Sequence, residues 1–193
     1  NGIGRRTSTV SNGITNSWTY DKRGRVVSET VQDGNLTPYT TSYDYNLADM
    51  PTDMTYPGNG GEHLKYTYDE LKRLESLKNT DNYYYVQSSN YDASSRLTDR
   101  TLGNGLTQKF TYNSWTSEGG RLDNITSGTW NGSSFTSTLQ NLDYTYDASG
   151  NITRIYDTIN TETQTFTYDT LDRLTSAKAS GASQGAYNET YAY

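Results

Sequence analysis

The chain has 193 residues, a formal net charge of −6 and a sequence pI near 4.7, so its charge attracts neither nucleic acid nor an anionic membrane surface. Cysteine is absent, which excludes a disulfide framework, a thiolate nucleophile and a cysteine-based zinc site. Only 31% of the chain is hydrophobic and its mean hydropathy is −0.92, a composition that leans towards disorder. Opposing that are 19 tyrosines and only 3 prolines; aromatic rings and threonines suit half-buried strands. The expectation is a folded, β-rich chain with a thin aromatic core. No apolar run is long enough to span a bilayer and no signal-peptide pattern is present, so membrane insertion is not expected.

Taken in chain order, the sequence keeps rewriting one phrase. It reads "WTYDKRGRVVSET" at 18–30, "YTYDELKRLESLKN" at 66–79, "YTYDASGNITRIYD" at 144–157 and "FTYDTLDRLTSAK" at 166–178. The tyrosine of each unit falls at Tyr20, Tyr43, Tyr68, Tyr91, Tyr112, Tyr146, Tyr168 and Tyr193, at spacings of 23, 25, 23, 21, 34, 22 and 25 residues. Self-similarity at such a period marks a stacked repeat architecture. Residues 1–193 therefore read as a single array, with an insertion over 113–135 in the long unit. There Arg121-Leu122 is the usual Arg-Leu pair displaced, and this unit is the one expected to bulge from the array as a loop.

Within a unit, aromatic residues alternate with threonine before the acid, as in Trp18-Thr19-Tyr20 and Phe166-Thr167-Tyr168. A period of two predicts a strand with one aromatic and one polar face. A tight reversal follows. Asp21, Asp44, Asp69, Asp92, Asp147 and Asp169 follow six of the tyrosines, placed to cap it by accepting backbone N–H bonds; Asn113 follows a seventh, and Gly4, Gly24 and Gly150 fit the left-handed position. In the other units Leu47, Lys72, Ser95 and Asp172 fall in that slot, where a positive φ is costly, and the sequence leaves open whether those units use the same turn or a different one. Arg25, Arg73, Arg96 and Arg173 close the motif. Asn12-Gly13, Asp33-Gly34, Asn59-Gly60, Asn104-Gly105 and Asn131-Gly132 supply turns half a period away. The predicted fold is all-β: an antiparallel meander of about eight hairpin units and roughly 16 strands, curling into a spiral sheet or hollow wall. Tyrosine is expected to align on tyrosine from unit to unit.

The two ends complement one another. The chain closes on "ETYAY", a unit cut before its acid, and opens on "NGIGRRTS", a unit lacking its tyrosine. Joined through Tyr193, Asn1, Gly4 and Arg5 they restore the motif, which suggests one period of a longer array, or a subunit completed by its neighbours through strand edges.

Catalytic patterns are weak. His63 is the single histidine and no Gly-x-Ser-x-Gly elbow accompanies it; it reads as a surface residue beside a turn. The carboxylates sit mostly at the repeated turn, where capping accounts for them better than a glycosidase pair does. "DASGN" at 147–151 lacks the remaining ligands of a calcium loop and reads as a turn. No cofactor and no enzymatic activity are expected. Asn35, Asn124, Asn131, Asn151 and Asn188 stand in glycosylation sequons, and exposed tyrosines are of the kind that stack on glycans.

The sequence resembles the YD-repeat, or RHS-repeat, family through "YDKRGRV" at 20–26, "YDELKRL" at 68–74, "YDASSRL" at 91–97 and "YDTLDRL" at 168–174. "YDYNLADM" at 43–50 departs from the pattern after its acid. The resemblance implies a β-ribbon wound into a hollow shell in large secreted or cell-surface proteins, which in bacteria enclose a toxin. The family's closure core, plug and toxin domains are not seen in this sequence. Three functions follow as expectations: first, a repeating unit of an extracellular filament or surface fibre, cohering with copies of itself or with further repeats; second, a piece of a toxin-encapsulating shell; third, a carbohydrate-binding or adhesion surface.

Overall fold

A computed structural model describes residues 3–181 and 186–193. The described chain is all-β, with sixteen strands and one short helical turn. It divides into two compact units, Asn1–Ser88 and Ser89–Tyr193.

In the first unit β1 (Ser8–Ser11), β2 (Ile14–Tyr20), β3 (Val26–Asp33), β4 (Tyr39–Tyr45), β5 (Pro51–Thr55), β6 (His63–Tyr68) and β7 (Leu74–Asn79) each pair antiparallel with the next, β7 with β8 (Tyr84–Tyr91), a strand that the division falls within. In the second, β9 (Leu97–Leu102) and β10 (Thr107–Tyr112) are followed by α1 (Trp115–Glu118). Then come β11 (Leu122–Trp130), β12 (Phe135–Tyr146), β13 (Ile152–Asp157), β14 (Glu162–Tyr168), β15 (Leu174–Ser180) and β16 (Tyr187–Thr190), again paired antiparallel in chain order. Each unit is a meander.

Register explains the alternation in the sequence. Tyr66 lies opposite Leu77, Phe110 opposite Ile125, Tyr144 opposite Ile155 and Phe166 opposite Ala177, so one face is apolar. The intervening threonines face the other side and bond across the strands. Thr19 meets Ser28 at 2.6 Å, Thr67 meets Ser76 at 2.8 Å and Thr167 meets Ser176 at 2.7 Å. Such cross-strand pairs are the unit of sheet stabilisation.

The core is thin. Among the described residues the buried apolar side chains are Leu64, Val86, Ala177 and Ala179, and no large side chain is fully buried. The aromatic side chains of the apolar face are half-buried rather than enclosed, because a sheet one layer thick has nothing packed on that face. Around Ile152, Ile155, Phe166, Tyr168 and Leu174 this face carries an apolar depression of about 260 Å³.

The insertion does not form the expected loop. Its middle, Leu122–Trp130, continues the sheet as β11, and the Trp130 and Phe135 rings meet edge-on at 5.0 Å at the hairpin tip. The stretch before it, which includes α1, leaves the sheet. Ser114 caps α1 by accepting from the Thr116 amide, and Gly119, at φ 64°, ends it.

Candidate functional site: the repeated turn

Five of the motifs build the same five-residue reversal. The Asp21 amide donates to the Arg25 carbonyl at 3.0 Å, and the Gly24 amide returns to the Asp21 carbonyl at 3.1 Å. Equivalent pairs of bonds join Asp69 to Arg73 and Lys72, Asp92 to Arg96 and Ser95, Asp147 to Asn151 and Gly150, and Asp169 to Arg173 and Asp172. This is a type I turn closed by a bulge, and register shifts by one residue just before Tyr20, Tyr68, Tyr112, Tyr146 and Tyr168.

The carboxylate organises the turn. Asp69 Oδ1 accepts from the Leu71 and Arg73 amides, both at 2.9 Å, while Oδ2 accepts from Arg73 Nε at 2.7 Å. Asp21 with Arg25, Asp92 with Arg96 and Asp169 with Arg173 repeat this arrangement. In the Asp147 turn Asn151 stands in for arginine, donating to Asp147 Oδ2 at 3.0 Å and to Asp172 Oδ1 at 2.8 Å. The backbone amide of Arg73 holds the Asp69 carboxyl below its ordinary value, and that of Arg96 does the same for Asp92. For Asp169 the side chain of Arg173 is the main cause, and for Asp147 that of Asn151. Burial works to raise the Asp21 carboxyl, but bonds from Arg25 outweigh it.

The turn then grips the next unit. The Arg25 guanidinium lies 4.7 Å from the centre of the Tyr45 ring and donates through Nη1 to the Asn46 carbonyl at 2.9 Å and to Asp49 Oδ1 at 2.7 Å. Arg96 lies over Tyr112 at 4.3 Å and donates to the Gly120 carbonyl, while Trp115 covers it at 4.9 Å. Arg121 lies over Tyr146 at 5.6 Å. In the opposite direction each motif tyrosine donates its hydroxyl to the carbonyl just beyond the preceding turn: Tyr45 to Val26, Tyr68 to Pro51, Tyr112 to Leu97, Tyr146 to Leu122 and Tyr168 to Ile152, at 2.7–2.9 Å. Unit-to-unit cohesion is therefore arginine on tyrosine, where the sequence suggested tyrosine on tyrosine.

One expectation is corrected and one open alternative is decided. The second unit is built on Tyr45-Asn46 and not on Tyr43-Asp44. Asn46 Oδ1 accepts from the Ala48 and Met50 amides, the Asn46 amide donates to the Met50 carbonyl, and the bulge falls between Asp44 and Tyr45. The non-glycine units use the same turn as the glycine units. Lys72, Ser95 and Asp172 adopt φ of 66°, 63° and 58°, and in the second unit Asp49, not Leu47, takes the left-handed position at φ 64°. The caps and closing bonds offset the strain.

At the ends, Gly4 has φ 73°, Arg5 lies over Tyr20 at 5.7 Å, and Tyr20 donates to the Arg6 carbonyl at 2.5 Å. A Cβ on Gly24 would collide with the Arg5 guanidinium. Arg173 lies over Tyr193 at 4.7 Å. Tyr91 ends β8, immediately before the Asp92 turn. Asn1 lies outside the described residues. The sequons at Asn124 and Asn151 are engaged in the fold, with Asn124 donating to Asn141 and Asp143.

At the opposite margin, turns without the Tyr-Asp motif are capped by an Asx side chain as well. Asn79 caps a turn with Asn82 at φ 62°, and Asp157 caps one with Thr161 at φ 52°. His63 opens β6 with Nε2 3.0 Å from Asp53 Oδ1. Burial works to raise the Asp53 carboxyl, but bonds from Lys65, Thr52 and His63 hold it below its ordinary value.

Residues 146–184 match the RHS Repeat family, and the turn just described is what recurs through the chain. Those residues carry an RHS repeat. Among solved structures the chain is similar to TcdB2-TccC3, at 20% identity and a TM-score of 0.70, over 98% of this chain and 11% of that one. It is similar also to the Photorhabdus luminescens Tc holotoxin pore, at 18% identity and a TM-score of 0.66, over 96% of this chain and 12% of that one. The chain thus spans about a tenth of the length of the chains it resembles, and at these identities the likeness is one of fold. No match was found among curated proteins. What these features support together is a structural RHS-repeat segment.

Proposed function

We propose that this chain is a stretch of wall in an RHS shell that sequesters a toxin-type cargo within a secreted protein, with no catalytic part of its own. The observation that carries the reading is the likeness to TcdB2-TccC3 over 98% of the chain at a TM-score of 0.70. The one-layer sheet supports it. A sheet with an apolar face and a threonine face separates two environments, and the apolar face needs an interior to cover it. The same matches favour a wall inside a longer chain over the free-standing filament that the sequence first suggests.

Electron microscopy with image averaging of the native protein that contains this chain tests the reading. Discrete hollow particles, with the segment in the particle wall, are expected. Long fibres with a constant axial repeat would overturn the shell and restore the filament.

A further inference from the structure

The repeat provides its own control for what happens at Arg121. Arg25, Arg73, Arg96 and Arg173 each pair with an aspartate four residues earlier, at 2.6–2.7 Å. Arg121 occupies the equivalent place: its carbonyl accepts from the Asn113 amide, as the other motif carbonyls accept from their aspartates, and its guanidinium stacks on Tyr146. Two changes deprive it of a carboxylate. Asn113, which carries no charge, stands where the aspartate should be, and α1 lengthens the turn so that Asn113 lies eight positions before Arg121 rather than four. Among the described residues the Arg121 guanidinium makes no hydrogen bond or ion pair, although the residue is half-buried.

That guanidinium lines a cleft of about 410 Å³ between the end of α1 and the Asp147 turn. Tyr146 and Asp147 form one wall, and Ser117 and Glu118 the other. The Asp147 carboxylate is already engaged, taking the Gly150 and Asn151 amides on Oδ1 and the Asn151 side chain on Oδ2. Ser117 offers a hydroxyl donor. Gly150 leaves room for the guanidinium, since a Cβ there would lie 2.9 Å from Arg121 Nη2.

We infer that the cleft is a binding site for a carboxylate, supplied by an acidic side chain of a polypeptide, which takes the place of the missing motif aspartate against Arg121. The chemistry is that of the neighbouring turns: a planar fork accepts a carboxylate in two parallel bonds, and a ring beneath the guanidinium fixes its orientation. A phenyl ligand would leave the fork unsatisfied, and a sugar would meet it with uncharged acceptors rather than a charged pair. Glu118, three residues before Arg121 on the rim, acts as a gate, repelling the incoming acid. This site stands independently of the shell reading.

The test is a titration of the protein, followed through the Arg121 Nε–H resonance, with the blocked peptide acetyl-Gly-Glu-Gly-amide and its Gln counterpart. A saturable shift with an affinity on the order of millimolar is expected for the Glu peptide, and binding about tenfold weaker or absent for the Gln peptide. Arg121→Lys, which keeps the charge and loses the fork, is expected to weaken binding about fivefold or more. Glu118→Gln is expected to tighten it. Equal shifts with both peptides, binding unaffected by Arg121→Lys, or no saturable shift in the Glu118→Gln protein would each overturn the site.

Discussion

Arg96 lies over the ring of Tyr112, its guanidinium carbon 4.3 Å from the ring centre, while its Nε donates to Asp92 at 2.7 Å. One side chain thus closes its own turn and fastens the next strand. Removing the aspartate and removing the tyrosine should therefore have different consequences.

The aspartate has two separable jobs. Asp69→Asn keeps an oxygen for the Leu71 and Arg73 amides and loses the charge that pairs with Arg73; Asp69→Ala loses both. Urea unfolding should rank the native protein above Asp69→Asn, and Asp69→Asn above Asp69→Ala. Asn46 already does the first job without a charge. Equal destabilisation by the two variants would mean that the Oδ1 cap contributes nothing.

The same carboxylates set the response to acid. Asp69, Asp92, Asp147 and Asp169 are held below the ordinary 3.8 in the folded chain. Groups with depressed folded values stabilise fully above the unfolded value and lose that contribution as pH falls through the folded values. The urea midpoint should be level from neutral pH to about pH 5 and fall steeply below about pH 4. A midpoint unchanged down to about pH 2 would contradict the assignment.

The left-handed position offers a stabilising change. Lys72 sits there at φ 66° with an exposed side chain. Lys72→Gly should raise stability by about 0.5–1 kcal/mol, the αL cost of an L-residue less the entropy of glycine. Asp172→Gly should gain less or lose stability, because Asp172 accepts from Asn151 at 2.8 Å. Calorimetric melting of the two variants checks the contrast. A lower melting temperature for Lys72→Gly would show that the position carries no strain.

The tyrosine hydroxyl is a smaller effect than the ring. Tyr112→Phe removes one bond to the Leu97 carbonyl and should cost about 0.5–1.5 kcal/mol. Tyr112→Ala also removes the surface beneath Arg96 and should cost about 3 kcal/mol or more.

Much of this was legible in the residues. The period, the alternation of aromatic residues with threonine and the turns at both margins depend on local chemistry, which a sequence displays directly. The second unit misled because "YDYN" offers two tyrosine–Asx pairs two residues apart. The left-handed slot distinguishes them: counting from Asp44 it falls on Leu47, which tolerates positive φ poorly, and counting from Asn46 it falls on Asp49, which tolerates it well. Residues 114–120, a serine cap followed by Glu118 and two glycines, carried the signal of α1. The stacking of Arg25 on Tyr45 was not legible, since it depends on which carbonyl and ring the register brings beneath the guanidinium. Nor was the open fork of Arg121, which only the intact forks of its neighbours make visible.

The central claim is that successive units are held together by the arginine of one turn on the tyrosine of the next. A double-mutant cycle with Arg96→Gln and Tyr112→Leu, read by urea unfolding of the protein, tests it most directly. The account predicts a coupling of about 0.5–1 kcal/mol, the two losses together being smaller than their sum. Losses that add to within about 0.3 kcal/mol would mean that the two side chains stabilise their units independently, and the claim would fail.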